Sequence, residues 1–216
     1  MDKFKIIQEK ELSSEIVEKK SRFIANLFYV ESVEEAEEKI KLIKKKYHDA
    51  RHNCSAYIVC NNNETIKKAN DDGEPSGTAG APMLDILDKQ GIANVLVVVT
   101  RYFGGILLGT GGLVRAYSEA LKSALENATL TTQEPGFELT VELEYADVEN
   151  FRYYCKTNGI LITNCEYMDS VVCKIELNEQ CKNELEKEFY GQNKLRIIKI
   201  DNIRQKNISV LSENVD

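Results

Sequence analysis

Two segments concentrate the residues whose types and spacing could do chemistry. One runs Asn70-Asp71-Asp72-Gly73-Glu74-Pro75-Ser76-Gly77-Thr78-Ala79-Gly80-Ala81-Pro82. The other runs Thr100-Arg101-Tyr102-Phe103-Gly104-Gly105-Ile106-Leu107-Leu108-Gly109-Thr110-Gly111-Gly112-Leu113-Val114-Arg115. The chemistry they suggest is anion binding. Glycines let a backbone approach a ligand closely, and a helix N-terminus points free N–H groups at it. Arg101 at a strand end and Arg115 in a first helical turn can add charge-assisted, bidentate contacts. A phosphate or a nucleic-acid backbone fits such a site. The same glycines serve tight turns and close helix–sheet packing with no ligand at all, and both readings stand.

Other constellations are weaker. No Gly-Lys-Ser/Thr occurs, so there is no phosphate-binding P-loop. Gly109-Thr110-Gly111-Gly112-Leu113-Val114 begins like a dinucleotide fingerprint but has Val114 at the third glycine position. His48 and His52 are four apart, without a glutamate in the metalloprotease position. Asp71, Asp72 and Glu74 could hold a divalent cation, but an acidic turn explains them as well. Ser76 and Thr78 have no nearby partner to activate a hydroxyl. No catalytic constellation, metal site or cofactor is expected. The six cysteines show no zinc or redox spacing and read as small buried hydrophobes.

The elements that must position these segments follow from periodicity. Residues 21–30 alternate as a strand. Ser32 with Glu35 forms a capping box for a helix reaching Tyr47. A short strand spans 55–60, with a turn at Asn61-Asn62-Asn63, and a short helix begins at Pro82. Val95-Leu96-Val97-Val98-Val99 lies in a strand buried on both faces. An amphipathic helix covers 112–128. Pro135-Gly136 reads as a turn and linker, dividing the chain into domains 1–133 and 134–216. Beyond it the order is strand, helix, two strands joined at Met168-Asp169, helix and strand, the ferredoxin-like β-α-β-β-α-β motif. The tail from Arg204 is expected to be mobile.

Composition sets outer limits. The chain has 216 residues, 28 Lys plus Arg, 35 Asp plus Glu and a net charge of −7, which excludes a globally basic nucleic-acid coat. Residues 1–135 carry 18 basic and 20 acidic side chains, and residues 136–216 carry 10 and 15, so the acidic excess belongs mostly to the second domain. No secretory leader or membrane-spanning run is visible, and the expected location is the cytoplasm.

Four stretches occur together and in order: Ala50-Arg51-His52-Asn53-Cys54-Ser55-Ala56-Tyr57, then Asp71 to Gly80, then Val97 to Gly105, then Gly111 to Tyr117. They resemble the signature of the IMPACT family, in its bacterial YigZ-like branch. The resemblance covers residues 15–130 most strongly. It implies an α+β chain of two domains. The first is similar to domain 2 of a small-subunit ribosomal protein, a β/α sandwich like domain IV of elongation factor G. The second is ferredoxin-like, similar to domain V of that factor. It also implies a binding protein related to translation, since the eukaryotic member regulates translation through a partner protein. The expected partners are RNA, the ribosome or a translation-associated protein, with no membrane. The motif positions His52, Glu74, Ser76, Thr78, Arg101, Tyr102, Gly104, Gly105, Gly111, Gly112, Arg115 and Tyr117 are the expected binding surface. Two alternatives remain: an enzyme acting on a small phosphorylated or anionic substrate at the glycine-rich loop, and a protein-interaction module.

Overall fold

The computed structural model describes residues 3–60, 64–189 and 195–206. Contacts divide the chain into one unit of Phe4–Thr131 and a second of Met1–Lys3 with Thr132–Asp216.

The first unit contains β1 (Phe4–Ile7), β2 (Glu11–Glu18), β3 (Ser21–Tyr29), α1 (Val33–Lys46), β4 (His52–Cys60), β5 (Thr65–Asn70), α2 (Gly80–Lys89), β6 (Val95–Tyr102) and α3 (Gly109–Glu126). Its main sheet has the order β2-β3-β6-β4-β5, with every neighbouring pair antiparallel. The apolar run in β6 has two destinations. Val95, Val97 and Val99 pack with Met83 and Leu87 of α2 and Leu113, Ala120 and Leu121 of α3. Leu96 and Val98 pack with Ala36 and Ile43 of α1 on the other face. Burial on both faces is why this strand lacks the polar alternation of a half-exposed one. Helix α1 begins as expected: Ser32 Oγ accepts the Glu35 N–H at 3.1 Å. The Glu35 carboxylate reaches one residue further back than a capping box requires, to the Glu31 N–H at 3.0 Å.

The second unit contains β7 (Leu130–Leu143), a 3₁₀ turn (Tyr145–Asp147), α4 (Val148–Thr157), β8 (Leu161–Tyr167), β9 (Val171–Leu177), α5 (Glu179–Glu188) and β10 (Arg196–Lys206). Strand β7 pairs with β9 and β10, and β8 with β9, all antiparallel. That arrangement is the ferredoxin-like split motif. Phe151 of α4 and Leu185 of α5 pack on Leu139, Val141, Cys173 and Ile175 of the sheet. Gly159, at φ +66°, ends α4 in the left-handed conformation that glycine adopts without cost.

Several local expectations need correction. Pro135 and Gly136 are not a turn. They lie inside β7, opposite Arg204 and Ile203 of β10. Proline has no N–H to donate, but the β9 ladder starts only at Phe137, so none of its bonds is lost. Strands β1, β2 and β5 escaped the periodicity reading because they are short or largely exposed. Helices α2 and α3 start earlier than expected, at Gly80 and Gly109. Cys165 and Cys173 are not isolated hydrophobes: they face each other across β8 and β9 and form a disulfide, S–S 2.11 Å. Cys54 and Cys155 are buried as expected, and Cys60 and Cys181 are half-buried. The Asn61-Asn62-Asn63 turn lies outside the described residues. Of the tail, residues 204–206 continue β10 and the remainder lies outside them. Among the described residues no helix is long and apolar enough to cross a membrane.

Candidate functional site

The two glycine-rich segments meet at one end of the first sheet, where β6 runs out. The meeting is built around Asp71. Its carboxylate accepts the Gly77 N–H at 2.8 Å, the Ala79 N–H at 2.9 Å and the Gly80 N–H at 2.8 Å. Burial works to raise its pKa, and these three N–H donors outweigh that, leaving it below the usual carboxylate range. Asp71 thus does for α2 what a neighbouring cap residue would ordinarily do, since Ala79 offers no capping side chain. Asp72 accepts the Asn53 N–H at 2.7 Å and Lys44 Nζ at 2.6 Å. With both carboxylates occupied, the loop is an organised acidic turn. Among the described residues no group of His, Cys, Asp or Glu could hold a metal ion.

This loop delivers Glu74 into the protein interior. There Arg101 Nη1 donates to Glu74 Oε1 at 2.6 Å, and the Tyr117 hydroxyl donates to the same oxygen at 2.9 Å. The pair is closed from solvent, with side chains 8% and 3% exposed. The Arg101 guanidinium lies 5.5 Å from the Phe23 ring centre and 5.6 Å from that of Phe103. Such stacking suits a delocalised, weakly hydrated cation. Cys54 Sγ completes the cluster, donating to the Asp71 carbonyl at 2.9 Å and contacting the Tyr117 hydroxyl at 3.3 Å. Burial pushes the Cys54 thiol up to about 12. Burial, then the neighbouring Cys54 and Glu74, push the Tyr117 phenol up as well. Both groups stay protonated at neutral pH, so neither is an activated nucleophile or base there.

The remaining candidates distribute as follows. His52 is half-buried and its Nδ1 lies 2.9 Å from the Asp72 carbonyl. Thr78 is buried and donates to the Pro75 carbonyl at 2.6 Å, while Ser76 is exposed on that turn. The Tyr102 hydroxyl donates to Asp49 at 2.7 Å, and this bond, with burial, raises its pKa. Gly104 lies against the β2–β3 turn: a Cβ there would come within 2.0 Å of the Lys20 carbonyl carbon. Gly105 has φ +85°, and Gly111 faces open space. Gly112 and Arg115 line a groove of about 500 Å³ between α3 and the end of β2.

The structure therefore joins Glu74, Arg101 and Tyr117 and separates Arg101 from Arg115. Arg101 is held inside, whereas Arg115 is exposed. Sequence reasoning missed Lys19 and Lys20. They form the two-residue β2–β3 turn with φ 44° and 66°, both exposed, and the Lys20 backbone lies against Gly104. The signal was present: two lysines between strand-like runs, where Asn-Gly would be usual. In the loop between β6 and α3, Phe103, Ile106 and Leu107 are exposed, Leu107 to 83%.

Comparison with known proteins agrees with this architecture. Residues 19–125 match the Impact N-terminal domain, and residues 141–189 match a domain of unknown function, DUF1949. IMPACT family member YvyE of Bacillus subtilis is 40% identical over 169 residues, covering 78% of this chain and 77% of that protein. IMPACT family member YigZ of Escherichia coli is 38% identical over 160 residues, covering 74% and 78%. A crystal structure of a hypothetical protein is 32% identical and superposes with a TM-score of 0.60, covering 93% of this chain and 98% of that one. With two relatives matched over most of both chains, and with its glycine-rich segments inside the matched domain, the chain belongs to the IMPACT family.

Proposed function

We propose that the chain is a cytoplasmic binding protein that regulates translation, contacting RNA, the ribosome or a translation-associated protein through the glycine-rich end of its first unit. One observation carries this reading. The residues that resemble catalytic groups are consumed by internal contacts, while their neighbours are not. Arg101, Glu74 and Tyr117 are closed on one another, and Asp71 and Asp72 hold backbone N–H groups. Beside them, Lys19, Lys20 and Arg115 make no ion pair among the described residues, and Phe103, Ile106 and Leu107 are exposed. Exposed apolar side chains beside unpaired cations suit recognition of a macromolecule. Regulation of translation is the role implied by the family. The enzyme alternative finds less support, because none of His52, Glu74, Ser76 or Thr78 lines the groove at Gly112 and Arg115.

The test is co-sedimentation of the purified chain with ribosomes at rising salt, with and without RNase. Pelleting that falls in a Lys19→Glu/Lys20→Glu/Arg115→Glu variant is the expected result. Loss after RNase identifies RNA as the contact, and its persistence identifies a protein. Pelleting unaffected by the triple substitution would falsify this surface.

A further inference from the structure

We propose that the free edge of β2 and the adjoining flank of α3 form a docking groove for an extended protein segment, which adds to the sheet as a sixth strand and turns acidic side chains toward α3. The proposal rests on reading the chain as a binding protein and goes on to name the kind of partner and its mode of attachment.

The edge comes first. Strand β2 ends the sheet order on one side. Its eight residues pair with β3 from Glu11↔Phe28 to Glu18↔Ser21 without a register shift. It contains no proline and no bulge, two of the devices that blunt an exposed edge. Left-handed φ at both Lys19 and Lys20 marks a type I′ turn, whose flanking residues form a hydrogen-bonded pair. By antiparallel alternation, Leu12, Ser14, Ile16 and Glu18 bond inward to β3. Ser13, Glu15 and Val17 point their N–H and C=O groups away from the sheet. An added strand takes its main-chain bonds from such a row.

The groove beside that edge supplies specificity. Its volume of about 500 Å³ lies between Ile16 of β2 and Leu108 and Gly112 at the start of α3. Lys19, Arg115 and Lys122 stand on its walls, and none has an ion-pair partner among the described residues. Three cations against two carboxylates, Glu18 and Glu119, leave the groove net positive beside the apolar Ile16, Leu108 and Val114, and this calls for a ligand with carboxylates between small or apolar side chains. Lys19 is also placed at a backbone cost: an L-residue in left-handed conformation gives up about 1–2 kcal/mol relative to its relaxed form, which glycine would avoid.

Two other occupants fit less well. A phosphate chain brings only acceptors, whereas the edge of β2 presents C=O groups that need donors as well as N–H groups that need acceptors. A second copy joined antiparallel, β2 to β2, and centred on the outward-bonding Glu15 would set Glu15 opposite its own equivalent with no cation on either β2 strand, and opposed like charges destabilise a ladder.

The experiment uses the full chain and a phage-displayed library of random ten-residue peptides, followed by synthesis of the recovered sequences. The expected peptides carry Asp or Glu at alternating positions. On binding, they slow amide exchange at Ser13, Glu15 and Val17 and leave Leu12, Ser14 and Ile16 unchanged. Ser13→Pro removes one outward N–H and no β2–β3 bond, and Arg115→Glu reverses the central charge. Each is expected to weaken binding about tenfold, as loss of one hydrogen bond or charge contact implies. The exchange pattern needs no variant, so it decides even if Ser13→Pro fails to fold. Four outcomes overturn the proposal: no peptide above background, peptides that do not protect the three outward amides, protection that rises with protein concentration in the absence of peptide (a second copy), or oligouridylate binding lost in Arg115→Glu but kept in Ser13→Pro. Ribosome pelleting is scored separately. A chain that pellets but fails the peptide test retains the proposed function and loses only this docking mode.

Discussion

Arg101 and Arg115 belong to the same glycine-rich stretch of sequence and to opposite sides of the molecular surface. Arg101 is in contact with a carboxylate and two aromatic rings and is almost closed from water. Arg115 is exposed, on the wall of a groove. The difference teaches that a cation near glycines has two distinct uses. One fixes the scaffold by tying the Asp71–Gly80 loop to the end of β6. The other is available to a partner. Substitutions in the first region should move stability, and those in the second should move binding.

The sharpest way to break that distinction is Arg101→Ala. It leaves the Glu74 carboxylate buried without its cation, and such a change costs about 3–5 kcal/mol. Chemical denaturation followed by circular dichroism would measure it, and a loss under 1 kcal/mol would mean that the pair is far wetter than its 8% and 3% exposures suggest. Gly104→Ala comes next, at about 3 kcal/mol, because its Cβ would overlap the Lys20 backbone rather than a yielding side chain.

Asp71→Asn should cost about 2 kcal/mol at neutral pH, the range for hydrogen bonds to a charged group. Its pKa is depressed in the folded chain. The stabilisation from its ionised form is therefore complete above the usual carboxylate value and disappears as pH falls through the lower folded value. Melting temperatures across that acid range should converge for wild type and Asp71→Asn. A constant gap would show that geometry, not charge, holds the loop.

Lys20→Gly has the opposite sign. It should raise stability by about 1 kcal/mol by relieving the left-handed lysine, while weakening ribosome pelleting. Arg115→Ala should be smallest, within about 0.5 kcal/mol of wild type in stability. A large destabilisation by Arg115→Ala would erase the contrast with Arg101.

Much of the fold was legible because burial leaves a period. The β6 run, the α3 stripe and the β-α-β-β-α-β order are direct consequences of which faces meet a core. Pro135-Gly136 misled because turn composition is only a local preference, and β10 pairs with that segment regardless. The site was legible by location and not by role. Glu74, Arg101 and Tyr117 stand far apart in sequence, and only the sheet register and the Asp71-organised loop bring them to one oxygen atom. The Cys165–Cys173 bond was equally hidden, since an eight-residue separation says nothing until the β8–β9 register is known.

The buried thiols have a practical consequence. Cys54 lies in the first unit and Cys155 in the second, and burial holds each at a pKa of about 12. Neither can react with an alkylating reagent until its own surroundings open. Pulse alkylation with peptide mapping would therefore time the opening of the two halves separately, in one sample and without an added label. Half-buried Cys60 and Cys181 supply the faster internal references.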